Sequence, residues 1–163
     1  MSRAFDFDPE TSTLACRRQH GACACCASKL KADYLAREKE VHAHHVTPNQ
    51  AGRPGDPRDR WLAERDNCVM ICGDCHHRVH ENGHCRDGAM APASYFPHSH
   101  GTDRAAHEAW AKAHDRKTEQ HFAELRRERA QQQQPKERIA AQAAASRREA
   151  RRAGPQQRER KQP

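Results

Sequence analysis

The stretch Asn67-Cys-Val-Met-Ile-Cys-Gly-Asp-Cys-His-His-Arg-Val-His80 joins two metal-binding patterns. Cys72 and Cys75 form a Cys-x2-Cys knuckle, the sulfur half of a zinc site. His76 and His80 follow at i, i+4. That spacing puts both imidazoles on one face of a helix, where they can hold a second metal. Upstream lies the complement of each half. Cys23 and Cys26 form another Cys-x2-Cys, and Val41-His-Ala-His-His-Val46 reads as a short strand ending in paired imidazoles. Further outward, Glu40 to Val46 is the strand and Pro48 ends it. Residues 49–59 hold Gly52, Pro54, Gly55 and Pro57 and read as a loop. Trp61 and Leu62 return apolar contact to a small core. Cys68 to Ile71 is a second strand, and Cys75 to about Glu81 is a short helix that Asn82-Gly83 stops.

The order Cys-x2-Cys, His-His strand with Pro, Asn, then Cys-x2-Cys-His-x3-His resembles the HNH nuclease family. The resemblance covers roughly residues 16 to 85. It implies an α+β fold: a small zinc-stabilised ββα-metal finger, here with an added C-terminal helix and a basic, disordered tail. The expected organisation is a polar leader at 1–15, the nuclease domain at 16–100, a helical extension at 101–131 and a low-complexity tail at 132–163. Within these, Lys29 to Glu40 reads as a helix. A longer helix runs from Asp103 to about Gln131, with Thr102 as its cap. Gln131 to Gln134 and Pro135 break that pattern.

Composition agrees with a metal-supported fold. Hydrophobic residues make up 35% of the 163 residues and the mean hydropathy is −1.19, too polar for a large apolar core. A folded region of ~70 residues is in the range where metals supplement the core. The start Met1-Ser-Arg-Ala-Phe-Asp has no apolar signal core, and no run approaches a membrane span. The expected setting is the cytoplasm, prokaryotic or phage-encoded by the resemblance. In that setting the two Cys-x2-Cys pairs among the eight cysteines read as metal ligands rather than as part of a secreted disulfide scaffold. Charge is segregated. Residues 1–100 carry 13 Lys/Arg and 13 Asp/Glu, whereas residues 101–163 carry 16 and 9. A neutral half is thus followed by a basic arm suited to a polyanion, with binding that weakens as salt rises.

Phosphodiester hydrolysis needs an activated water and positive charge at the phosphate and the leaving oxygen. A neutral imidazole can accept the water proton, and a divalent cation can supply the charge. Neighbouring strand residues face opposite ways, so His44 and His45 cannot share one task. The resemblance implies His45 as general base and His44 as metal ligand. It implies Asn67 as the residue that orients the backbone carrying the base, His76 as a ligand, and His80 as a further ligand or phosphate contact. Many family members have Asp in place of His44. An all-imidazole site is softer and should favour Zn2+, Ni2+, Co2+ or Mn2+ over Mg2+.

Cys23, Cys26, Cys72 and Cys75 form the expected structural zinc site, with Cys25 as an alternative to Cys26. Cys16, Cys25, Cys68 and Cys85 read as free thiols or core residues. Arg17, Arg18, Arg58, Arg60 and Arg78 are candidate phosphate contacts, Arg78 being the best placed because it lies on the metal-bearing helix. His42, two residues before His44 on the same strand face, reads as a surface residue, with a place behind the metal ligands as the alternative. His107, His114 and His121 recur every seven residues, a stripe that reads as a plain amphipathic helix rather than as a packing or dimer face. The expected partners are DNA, through the metal site and the basic arm, and either a second copy or an immunity or accessory protein. No membrane partner is expected. Two other functions remain open at this point. One is a zinc-stabilised nucleic-acid-binding module without turnover. The other is a nuclease toxin with a neutralising partner.

Overall fold

The computed structural model describes residues 5–30, 41–81 and 91–154. It is a mixed α+β chain built on one two-stranded antiparallel sheet. Strand β1 (Val41–His45) pairs with β2 (Cys68–Cys72) in a register that sets His44 opposite Val69 and His45 opposite Cys68. Helix α2 (Gly73–Glu81) follows β2 directly. Turns of 3-10 helix fill the Gly/Pro connection between the strands, at Asn49–Ala51, Pro57–Ala63 and Arg65–Asn67. Among the described residues, no helix is long and apolar enough to cross a membrane. Of the expected helix over Lys29 to Glu40, residues 31–40 lie outside the described residues, as do the Asn82-Gly83 stop and Cys85, while Lys29 forms an antiparallel bridge with Ala22 instead of starting a helix.

The segment expected to be a polar leader is structured from Pro9 on. Helix α1 spans Pro9–Arg18. Asp8 caps it, its carboxylate accepting from the Thr11 N–H at 2.6 Å, and Pro9 occupies the first turn, where a missing N–H costs nothing. Ser12, Ala15 and Cys16, at i, i+3 and i+4, form its buried face. The chain then presses Gln19 onto the edge of β2 that β1 leaves open. The Gln19 amide nitrogen donates to the Met70 carbonyl and its oxygen accepts from the Met70 N–H, both at 2.7 Å. A buried amide thus does the work of a third strand. The expectation of a weakly ordered leader failed because one turn of small residues and one glutamine replace the apolar periodicity that marks a buried helix.

The core gathers Ala15, Leu30, Val46, Val69, Ile71, Val79, Ala93 and Phe96 around the sheet. The first knuckle loop lies between β2 and the segment before the last helix. Ala24 N–H donates to the Met70 carbonyl at 3.0 Å, and His98 N–H donates to the Ala24 carbonyl at 2.9 Å. At Gly101 (φ 63°) a Cβ would strike the His20 ring, so only glycine fits this close approach.

Helix α3 spans Arg104–Ala153. Its cap is Asp103, whose carboxylate accepts from Ala106 N–H at 2.9 Å, and not Thr102 as expected. The helix also runs through Gln131–Gln134 and Pro135, where a break and a disordered tail were expected. The flanking Ala, Gln, Glu and Arg are strong helix formers, and Pro135 removes one hydrogen bond in an exposed stretch where water can serve the freed Gln131 carbonyl. The chain divides into two compact units, Met1–Glu119 and Gln120–Pro163. The first holds the sheet, the core and the start of α3; the second holds the rest of that helix.

Candidate metal centres and the His45 environment

Two ligand clusters emerge from the same short elements. The sulfurs of Cys23, Cys26, Cys72 and Cys75 all lie within 4.8 Å of one another, with Cys26 and Cys72 at 3.9 Å. Four Zn–S bonds of about 2.3 Å in a tetrahedron require edges of about 3.8 Å, so four cysteines in this arrangement can hold a zinc ion. Cys26, and not Cys25, belongs to the set. The knuckle geometry explains the choice. Cys23 N–H donates to the Ser28 carbonyl at 2.8 Å and Ala27 N–H returns to the Cys23 carbonyl at 3.0 Å, closing a loop that swings Cys26 toward β2. Cys23 is prepared to be a thiolate. The Cys25 thiol, opposed by burial and aided by backbone N–H groups including that of Cys72 at 3.4 Å, holds it down to about 4. Burial pushes the Cys75 and Cys72 thiols up. Cys68 is fully buried and pushed up to about 12 by that burial, which suits an inert core thiol. Cys16 is buried as well, and no described cysteine is in a disulfide.

The second cluster is His44, His76 and His80, whose nitrogens also lie within 4.8 Å of one another. On α2, Cys75 and Val79 are buried in the core. The next column, His76 and His80, therefore faces along the sheet toward His44. The Nε2 atoms of His76 and His80 are 3.1 Å apart, close to the edge of about 3.3 Å that two Zn–N bonds of 2.0–2.1 Å would span. Burial, with the neighbouring imidazoles of His42, His80 and His77, brings His76 down to about 4, so its ring is neutral and offers a lone pair. Three imidazoles leave a coordination position open. His42 is part of this neighbourhood and not a bystander: its ring stacks on His76 at 4.3 Å. The period-two strand puts residues 42 and 44 on one face, which is the signal that identifies it.

His45 lies on the other face of β1 and meets different partners. Its Nε2 is 2.8 Å from the Phe5 carbonyl, and the Phe7 ring stacks on its imidazole at 3.9 Å. Burial lowers its pKa, opposed by the Phe5 carbonyl and by Asp6. The Phe5 ring itself sits where a Cβ on Gly52 would be, so this glycine makes room for the segment that reaches His45. No sequence motif announced Phe5 or Phe7.

Asn67 is fully buried and its amide is fully engaged. Its Nδ2 donates to the carbonyls of Thr47 and Leu62 at 2.9 and 2.8 Å, and its Oδ1 accepts from Thr47 N–H at 2.6 Å. Oδ1 also faces His114 Nε2 at 3.3 Å. His114 Nδ1 is 3.2 Å from the Thr118 hydroxyl, which is 2.6 Å from the Thr47 hydroxyl. The turn that follows His45 is therefore clamped between Asn67 and α3. Comparison with protein-family models, curated proteins and solved structures gives no match to this chain.

The arginines separate into different roles. Arg18 is structural: it donates to the carbonyls of Cys68 and Ser99 at 2.8 and 3.2 Å and lies over the Trp110 ring. Arg58 pairs with Asp56 at 2.8 Å, while Arg17 and Arg60 are exposed. Arg78 is not brought to the histidines. Two residues on from His76 means about 200° around the helix, which turns it away from the imidazole column. It contacts Cys75 Sγ at 3.8 Å instead.

Proposed function

We propose that the chain is a metal-dependent endonuclease of the HNH type, with DNA as its substrate. The observation that carries this reading is the pairing on one strand of two unlike neighbours. His44 joins a three-imidazole cluster, and His45, on the opposite face, is a half-buried imidazole whose Nε2 is occupied by a backbone carbonyl. Nε2 must hold the proton to donate to the Phe5 carbonyl, so the lone pair is on Nδ1. Burial keeps the ring neutral, which is the form a general base needs. His45 Nδ1 takes the proton from the attacking water. Asn67 fixes Thr47, two residues on, and so holds the base in place. A divalent metal held by His44, His76 and His80 would supply positive charge to the phosphate and the leaving oxygen. By the resemblance, the products carry 5′-phosphate and 3′-hydroxyl ends. Residues 126–151 carry eight Lys/Arg and three Glu along an exposed helix, a charge balance suited to phosphate contacts that fix no sequence.

A second reading is favoured by the Phe7 ring lying flat on His45, which shields an imidazole that a nuclease must expose to water. In that reading the chain is a zinc-stabilised nucleic-acid-binding module without turnover. Cleavage of supercoiled plasmid by the wild type and by His45→Ala, with Mg2+, Mn2+, Ni2+ and Zn2+ in parallel, separates the two. Metal-dependent nicking that vanishes in the variant, with zinc content retained, is the expected result. Salt-sensitive binding without cutting under any metal would overturn the nuclease reading.

A further inference from the structure

Along α2, on the side of Cys75 and Val79, a cleft of about 560 Å³ opens beside the cysteine knuckles. Its walls include Cys75, Arg78, Val79, Ser94, Tyr95 and Pro97. Val79 is a buried apolar floor, and Tyr95 is a large aromatic left 43% exposed at the rim. The turn that carries Tyr95 is held from both sides. Ala93 and Phe96 are fully buried, and Ala93 N–H donates to the Asp115 carboxylate at 2.7 Å. The ring is therefore presented by a fixed turn and not by a loose loop. Arg78 is steadied opposite, its guanidinium donating toward the Asp74 carbonyl at 3.4 Å and Cys75 Sγ at 3.8 Å.

We propose that this cleft binds one unstacked nucleobase of the substrate strand, with Tyr95 as the stacking surface and the Arg78 guanidinium and Ser94 hydroxyl at its polar edge. This rests on the nucleic-acid reading above and extends it to a subsite. The chemistry selects a base over a phosphate. With zinc held, four thiolates around one dication would carry net negative charge beside the cleft, which disfavours phosphate and leaves a neutral, planar, polar-edged ring as the fitting guest. A flat aromatic with a guanidinium nearby is a sequence-tolerant way to hold a base. The position also suits a subsite, because one short helix, α2, carries both Arg78 and Val79 of the cleft and His76 and His80 of the imidazole cluster. The base held there would set the register of the strand at His45.

The test measures binding of a fluorescent single-stranded oligonucleotide, and of a fully abasic oligomer of equal length, to the full zinc-loaded chain. His45→Ala is the background that prevents cutting. Tyr95→Ala should weaken binding of the base-bearing oligomer about 10-fold and leave the abasic oligomer unchanged, while Tyr95→Phe binds as tightly as the parent. Equal binding by Tyr95→Ala and parent overturns the subsite. So does a loss that is the same for both oligomers. If the parent chain binds neither oligomer, the nucleic-acid reading itself falls, an outcome distinct from a Tyr95 effect that is merely missing.

Discussion

Replacing Asn67 by alanine should destabilise the first unit by about 4 kcal/mol. The side chain is fully buried, so its partners have no water to turn to. Thr47 N–H loses its acceptor at 2.6 Å, which costs about 1–3 kcal/mol for an orphaned buried donor. The Thr47 and Leu62 carbonyls each lose a donor, costing about 0.5–1 kcal/mol apiece because a carbonyl can share a second lone pair. The small cavity adds about 1 kcal/mol. Set against a typical total of about 5–15 kcal/mol, this is a large fraction. With a urea slope of about 2 kcal/mol per molar, the unfolding midpoint of the zinc-loaded chain should fall by about 2 M. Asn67→Asp sharpens the test. It keeps the volume and the acceptor but sets a carboxylate oxygen against two carbonyls, so at neutral pH it should be no better than alanine. An Asn67→Ala midpoint within 0.5 M of wild type (about 1 kcal/mol on the same slope), or an Asn67→Asp chain as stable as wild type, would refute the clamp.

Chelation should strip zinc and unfold the first unit, since structural zinc contributes on the order of 10 kcal/mol in small domains. In metal analysis, Cys26→Ser should lose that zinc while Cys25→Ser retains it, because only Cys26 lies in the four-sulfur set. His114 should make stability fall in mild acid. Burial holds its imidazole down to about 4, below its ordinary value near 6.5, so the unfolded chain protonates first as pH drops. The contribution is full above pH 6.5 and is lost as pH falls toward 4, about 3 kcal/mol in all. His114→Gln should show a correspondingly flatter fall between those values in urea midpoints taken across pH, the difference from wild type removing the titration of the metal ligands. Finally, Pro135→Ala should raise the thermal midpoint of the helical signal by circular dichroism, because it restores one backbone hydrogen bond and removes the ring clash, worth up to about 3 kcal/mol locally. An unchanged helix signal would show that Pro135 does not sit inside a continuous helix.

The ligand clusters were legible in the sequence because short-range geometry sets them. Cys-x2-Cys is the reach of one knuckle loop, i, i+4 is one helical turn, and alternation along a strand separates His44 from His45. The element order of strand, loop, strand, helix followed from Pro48, the Gly/Pro loop and the helix after Cys72. Other features depend on contacts between distant segments, which no local period records. Gln19 closes the β2 edge across 51 residues, and His114 reaches Asn67 across 47. Phe5 and Phe7 come to His45 only once α1 is docked, and Tyr95 gains its cleft only from the turn that Ala93 and Phe96 anchor. Arg78 shows the two levels diverging. Its helix could be read from the sequence, but which side of that helix faces the imidazoles was decided by Cys75 and Val79 turning into the core. The sequence by itself determined which side chains can bind metal. The tertiary structure decided what surrounds them, because burial and long-range hydrogen bonds exist only after the segments meet.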